Sequence, residues 1–319
     1  MRRFQVEGRH RRSRVGVLAG GLSSEREIAT RSARAVSAAL RSRGYAVEDI
    51  DVDREVAAEL RRRSVEVVFI GLHGRYGEDG CIQGLLEILG LPYTGTGVMG
   101  SALAMDKWAS RQVLSAAGLP VAPGILVSGD RPALELPCDL PVVVKPRGEG
   151  STNGVSLVRD AAALEGAVAL ARRLDRDVLI EQYIPGREVT IGILDDVALA
   201  AMEVVPLGDD FHTYEVKYTP GRERFLLPAP LGDLYEPILE LALSTHRALF
   251  AGSYSRVDLR VRPDGQPFIL ECNTLPGLHE LGWFTAMAAH AGIEFADLVE
   301  LLLDRAGNQV HETRREVTP

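Results

Sequence analysis

The sequence predicts an α/β protein in which a doubly wound parallel sheet is followed by a region of hairpins. Up to about residue 105, short buried-type runs alternate with stretches of helical spacing. A glycine pair stops the first run before a helix. Beyond about residue 140, alternating runs and tight-turn dipeptides take over.

Taken in order, Val15 to Leu18 is an apolar run ending at Gly20-Gly21, and Ser24-Glu25-Arg26-Glu27 fits a capping box opening a helix to about Arg43. Tyr45 to Val52 alternates, a helical stretch covers 54–63, and Val65 to Leu72 is a buried-type strand. Gly80 to Leu89 is helical, Pro92-Tyr93-Thr94-Gly95 closes it, and Ser101 to Gly118 reads as one further helix. Pro120 to Pro123 marks a candidate boundary.

Val142 to Val144 is a strand ending at Lys145-Pro146. The loop Arg147 to Gly154 leads to Val155 to Val158, which suits a hairpin around a loop. A helix over 161–173, a strand from Val178 to Tyr183, and an alternating pair, Glu188–Leu194 and Ala198–Val205, follow. Pro206 to Leu227 has no clean period and reads as a long loop, of the kind that is functional or disordered in compact proteins. A helix over 234–250 and a hairpin over 254–273 complete the order.

Composition narrows the function. Of the 319 residues 46% are hydrophobic, yet no run approaches the roughly 18 apolar residues of a membrane span. The basic N-terminus lacks the apolar core of a secretory signal, so a cytoplasmic protein with no membrane partner is expected. Cys81, Cys138 and Cys272 are too few and too scattered for a disulfide framework and read as buried thiols. Residues 1–14 hold six arginines and one glutamate, so the net charge of -8 conceals a more acidic body, which argues against nucleic acid. That segment reads as a solvated, disordered extension, and 310–319 as a tail.

The hairpin over 254–273 carries the chemistry. Asp264-Gly265 suits a two-residue turn, which would place Pro263 opposite Gln266, Asp258 opposite Glu271 and Arg256 opposite Asn273. Those last four residues then share one face, with Val257, Leu259, Leu270 and Cys272 turned to a core. Two carboxylates and an amide so placed suit Mg²⁺ held together with nucleotide phosphates; a solvated face neutralised by Arg256 is the alternative. Lys145 to Gly154 adds a lysine, glycines and hydroxyls able to fold over phosphates, although it is not a Walker A sequence. Gly20-Gly21-Leu22-Ser23-Ser24 lacks the third glycine of a dinucleotide fingerprint, which removes most support for NAD.

These residues resemble the D-alanine:D-alanine ligases of the ATP-grasp superfamily over about Val15 to Leu303. The markers are Gly20–Glu27, Leu72–Gly80, Tyr93–Gly97, Met105-Asp106-Lys107, Glu149–Thr152, Tyr214–Tyr218 and Glu271–Gly277, in the family's order. The resemblance implies an N-terminal α/β domain (15–105) and a two-lobed ATP-grasp fold. Its lobes would be a central domain (106–190) and a C-terminal domain (191–309), with ATP clasped between them. A homodimer acting on D-alanine or related amino acids is also implied.

The implied roles follow motif by motif. Lys107, Lys145 and Lys217 contact the nucleotide, as do Gly150, Ser151 and Thr152 of the phosphate loop. Glu181, Gln182, Tyr183 and Ile184 form the adenine hinge, and Glu188 takes the ribose. Asp258, Glu271 and Asn273 match the ligands of Mg²⁺, with Mn²⁺ as a substitute, the same set that the hairpin register brings together. Arg256 and the Gly277 N–H would stabilise an oxyanion, Glu25 would hold the first substrate's ammonium with Ser151 and Tyr218, and His73 would lie near the acceptor. The implied reaction phosphorylates one D-alanine carboxylate and then couples it to a second D-alanine for peptidoglycan precursors.

One segment departs from the family. After Gly277 a methionine and a Ser/Thr-rich run are usual, but here Leu278-His279-Glu280-Leu281-Gly282-Trp283 stands. Gly282 takes the place of the serine that binds the acceptor's carboxylate, and Glu280 adds a negative charge. His279 or a backbone amide would have to serve instead, or the acceptor differs. The alternatives are thus a ligase of specialised metabolism with another acceptor amine or hydroxy acid, and a nucleotide-binding regulator without catalysis.

Overall fold

The computed structural model describes residues 4–129, 136–208, 221–280 and 282–308. Lys217, Tyr218, residues 209–220 of the expected long loop and the 310–319 tail lie outside them. The first sheet is parallel, in the order β2 (Ala46–Asp51), β1 (Arg14–Ala19), β3 (Val67–Ile70). With β2 and β3 on opposite sides of β1, the chain reverses direction between β1 and β3, and the loops leaving those two strands diverge to open a crevice. Glu25 and His73 stand on those two loops.

α1 (Arg26–Ser42) buries Ala29, Ala33, Val36 and Leu40, one face at helical spacing, against this sheet. The expected capping box does not form. Ser23 Oγ accepts the Glu25 N–H at 3.2 Å, and Ser24 reaches out to Glu149 instead. At Gly20, φ is +69°, a left-handed conformation that favours glycine at this turn. α2 (Val56–Arg62) and α3 (Cys81–Leu89) fall where helical spacing predicts them.

The helix expected over 101–118 is two, α4 (Val98–Met105) and α5 (Lys107–Ala116). Asp106 is extended and caps α5 by accepting the N–H groups of Trp108 and Ala109 at 3.1 and 2.9 Å, so a buried-type period runs across a real break. The break matters because it starts α5 at Lys107.

Two antiparallel sheets follow. One has the order β4 (Gly124–Val127), β7 (Val178–Gln182), β5 (Val142–Pro146), β6 (Ser156–Val158), covered by α6 (Leu164–Arg172). The other runs β10 (Glu223–Leu226), β9 (Val197–Pro206), β8 (Arg187–Leu194), β11 (Tyr254–Val261), β12 (Pro267–Asn273), packed against α7 (Tyr235–Ala248). Two expectations change here. The long loop expected over 206–227 contains β10, and residue 190 lies inside β8, so sheet membership changes between Gln182 and Arg187.

The hairpin turn also differs. The Arg262 N–H donates to Gln266 O and the Gly265 N–H to Arg262 O, giving a three-residue loop with Gly265 at φ +87°. That shifts the pairing to Leu259–Ile269 and Val261–Pro267, and a bulge after Asp258 restores Asp258–Glu271 and Arg256–Asn273. The extra residue is Leu270, which faces a cleft rather than the expected core.

The C-terminal helices α8 (Trp283–His290) and α9 (Phe295–Asp304) return to the N-terminal sheet, where Phe284, Leu298 and Leu302 join its core. Residues 4–13 are not a free extension. Phe4 and Val6 pack on the same core, the Glu7, Gly8 and Arg9 N–H groups donate to the buried Asp304 carboxylate at 2.6, 3.0 and 2.8 Å, and Arg11 pairs with buried Glu300. Composition registers the arginines but not the acids that wait for them on α9. Asp304→Ala should lower stability by on the order of 2–3 kcal/mol while leaving turnover intact. Thermal melts check this; an unchanged midpoint would mean the arm is not anchored there.

Of the three thiols only Cys272 is buried. Cys81 is exposed at the start of α3, whose first turn buries Ile82 and Gln83 instead, and Cys138 is half-buried.

Candidate active site

Two clefts meet where the three sheets converge. The second cleft lies between the antiparallel sheets and is lined by Lys145 of β5, Glu181 and Gln182 of β7, Glu188 of β8, Asp258 and Arg260 of β11, and Leu270 and Glu271 of β12. Gly150, Thr152, Tyr183 and Ile184 also line it. The first cleft opens toward the parallel sheet and contains Glu25, His73, Ser151, Arg256, Asn273, Gly277 and Gly282. Every described residue predicted for the site therefore lies in one or both clefts.

Their electrostatics depend on pairing. Arg256 and Asp258 are both buried and form a two-pronged pair, Nε–Oδ1 2.8 Å and Nη2–Oδ2 2.6 Å, with the Thr190 hydroxyl donating to the same carboxylate at 2.6 Å. Burial opposes the guanidinium charge, but Asp258, Glu271 and Glu78 hold its pKa above the ordinary value. Lys107 Nζ donates to the Glu149 carbonyl and stands 3.9 Å from Glu271. Lys145 pairs with Glu181, which Arg111 also grips at 2.5 Å. Burial alone would raise the Glu181 pKa, yet those two cations hold it below the usual range.

Within the Glu181–Ile184 segment two backbone donors are already engaged. The N–H groups of Gln182 and Tyr183 already donate to Pro123 O at 2.8 Å and Pro141 O at 3.1 Å, and Glu181 uses its side chain to anchor Lys145. Glu188 faces Arg260 at 3.4 Å, and that guanidinium stacks over the Tyr183 ring.

In the first cleft Ser151 donates to Glu25 from a loop far away in sequence, and Ser151 and Thr152 both adopt positive φ. His73 is buried, contacts Ser32 Oγ at 3.1 Å, and is pushed down to about 4 by burial, so it is neutral at physiological pH. Gly282 caps α8. A Cβ there would stand 2.8 Å from the Gly277 carbonyl, so this backbone has no room for serine, while Glu280 is exposed and does not line the cleft.

Arg31, Glu78, Phe225 and Trp283 are among the lining groups outside the predicted set. Arg31 follows Glu25 and Ile28 at helical spacing on α1, a signal that was legible, and contacts His279 at 3.2 Å. Glu78 lay inside a recognised marker. Phe225 and Trp283 gave no local sign. Glu78 accepts the Gly74 N–H at 2.6 Å and is pushed up to about 8, chiefly by burial and then by Glu25. Between pH 4.5 and 8 the folded protein keeps a proton there that the unfolded chain releases, so this group lowers stability as pH rises through that window. Glu78→Gln should flatten that slope. Denaturant melts at pH 5, 6.5 and 8 measure it, and an unchanged slope counts against a protonated Glu78.

The chain matches the family description D-ala D-ala ligase C-terminus over residues 113–304 and D-ala D-ala ligase N-terminus over residues 55–96. It is 50% identical to a D-alanine–D-alanine ligase of Geotalea uraniireducens, covering 94% of this chain and 97% of that one. It belongs to the D-alanine–D-alanine ligase family. A member from Geobacter sulfurreducens is 47% identical over 91% of this chain and 93% of its own. The solved D-alanine–D-alanine ligase from Bacillus anthracis complexed with ATP superposes with a TM-score of 0.82 at 29% identity, over 96% of this chain and 100% of that one. The ligase fold, with its parallel N-terminal sheet and two antiparallel sheets around a cleft, is thus the one that the sequence predicts. Among the described residues no helix is long and apolar enough to cross a membrane.

Proposed function

We propose that this ligase joins two D-alanine molecules into D-alanyl-D-alanine, converting ATP to ADP and phosphate through an acyl phosphate. Near-full-length identity to ligases of that name and likeness to the ATP-complexed Bacillus anthracis enzyme support the reading. The observation that carries it is the junction of the clefts. Lys107, Gly150 and Glu271 line both, so a carboxylate in the first cleft can meet a terminal phosphate in the second.

The roles follow from charge. Lys107 and Lys145 neutralise phosphate oxygens, while Glu188 and the Glu181–Ile184 segment take the nucleoside. Glu25, oriented by Ser151, receives the ammonium of the first D-alanine. Arg256 and the Gly277 N–H face the oxygen that becomes negative as the second amine attacks; preorganised donors lower such a barrier by several kcal/mol. Neutral His73 suits a neighbour of an incoming amine. With no side chain at Gly282, the N–H groups opening α8 and the His279 ring are the donors at hand for the acceptor's carboxylate.

A divalent ion fits the donor set. Asp258, Glu271 and Asn273 offer only oxygen, the preference of Mg²⁺ or Mn²⁺, and Glu271 opens to both clefts. Among the described residues no group of three or more His, Cys, Asp or Glu side chains gathers as a metal site, so two carboxylates and an amide would share the ion with the nucleotide's phosphates. Bound there, the ion would supply charge neutralisation for phosphoryl transfer. A cytoplasmic homodimer making peptidoglycan precursors completes the proposal.

The test is the product mass from ATP, D-alanine and a mixture of amino acids. D-alanyl-D-alanine with one ADP per dipeptide is expected. A mixed dipeptide formed in its place would move the acceptor to another amine, and ATP binding without turnover would favour the regulator.

A further inference from the structure

Four residues line both clefts: Lys107, Gly150, Glu271 and Trp283. Three are the charged or small groups that phosphate chemistry needs. Trp283 is the one large apolar side chain among them, and no motif assigns it a role.

Its indole is held from two directions. The Arg256 guanidinium stacks over the ring at 5.2 Å from its centroid, and Phe225, another lining residue of the first cleft, meets it edge-on at 5.9 Å. The preceding residue, Gly282, contributes no side chain, and its crowding against the Gly277 carbonyl prevents one from being added without moving that segment. The wall at this corner is therefore the indole.

We infer that Trp283 is a specificity-determining residue whose ring limits the size of the amino-acid side chain accepted beside Arg256. The inference rests on the ligase reading above. A substrate carrying more carbon than D-alanine meets a ring braced by Arg256 and Phe225. Removing the ring opens the first cleft toward the nucleotide cleft.

The test compares D-alanine with D-2-aminobutyrate and D-valine in the wild type, Trp283→Phe and Trp283→Ala, with products identified by mass. In Trp283→Ala the ratio of kcat/KM for D-valine to that for D-alanine should rise by about tenfold or more, since one methylene against a pocket wall is worth on the order of tenfold. Trp283→Phe should stay within about threefold of the wild-type ratio. Because the ratio is internal to each protein, a general loss of activity does not move it; an unchanged ratio in Trp283→Ala overturns the inference.

Should Trp283→Ala fail to fold, fluorescence in a Trp108→Phe background decides, because Trp283 is then the sole tryptophan. Its emission should change on adding ATP and again on adding D-alanine, and emission indifferent to both overturns the inference. A protein whose Trp283 responds to ATP yet forms no D-alanyl-D-alanine would sink the ligase reading while leaving the ring at the junction.

Discussion

Arg256→Ala is expected to reduce turnover by about 10²–10³-fold, the usual loss when one preorganised oxyanion donor is removed. The same change should lower stability by about 3–5 kcal/mol, because it strips the guanidinium from a carboxylate that is only 7% exposed. Two defects of different origin then appear together, and Arg256→Lys separates them. Lysine keeps the charge near Asp258 and should recover much of the stability, but it lacks the planar fork that makes bonds of 2.8 and 2.6 Å to both oxygens, so the rate should remain low. Denaturant melts and ADP release measured on the same preparations read the two effects. Turnover of Arg256→Ala within threefold of the wild type would remove Arg256 from the reacting centre.

Glu271→Gln is the second large effect, and it should be almost purely catalytic. Glu271 is partly exposed in the cleft, its cation neighbour Lys107 is 3.9 Å away, and no buried pair breaks when its charge goes. Folding should be little changed, while the Mg²⁺ concentration for half-maximal rate should rise by at least about 10–100-fold, the loss typical even for a group that only supports a metal's ligands. Titrating Mg²⁺ and Mn²⁺ against ADP release checks it. Unchanged activity at limiting Mg²⁺ would place the ion elsewhere and detach the hairpin patch from metal binding.

Much of the site is legible before any coordinates because its chemistry is local. Asp258, Glu271, Arg256 and Asn273 sit on two strands joined by a short turn, and the alternation of a strand decides which residues share a face. Even so, the turn has three residues rather than two, and a bulge after Asp258 compensates. The pairs came out as expected through two opposite shifts, and the residue between them, Leu270, moved from core to cleft. A pattern of period two cannot register a bulge, which costs one residue and changes no composition.

Lys107 illustrates the reverse. Its motif is plain in the sequence, but its orientation depends on Asp106 ending one helix and capping the next, with Arg147 bound to the same carboxylate at 2.6 Å. Nothing within a few residues of Asp106 says that Arg147 will arrive from another sheet.

The sequence by itself determined the family, the hairpin register at its functional end and most of the element order as far as Asn273, though not β4, β10 or the break between α4 and α5, because what it determined follows from periodicity or from motifs within one short segment. Tertiary structure alone decided that residues 4–13 clamp onto Asp304 and Glu300, that Glu181 anchors Lys145, that burial beside Glu25 raises the Glu78 pKa, and that Trp283 stands where the two clefts join. Each of these depends on partners from separate elements, or on burial that only the packed sheets create, and neither is encoded in the spacing of a single stretch of chain.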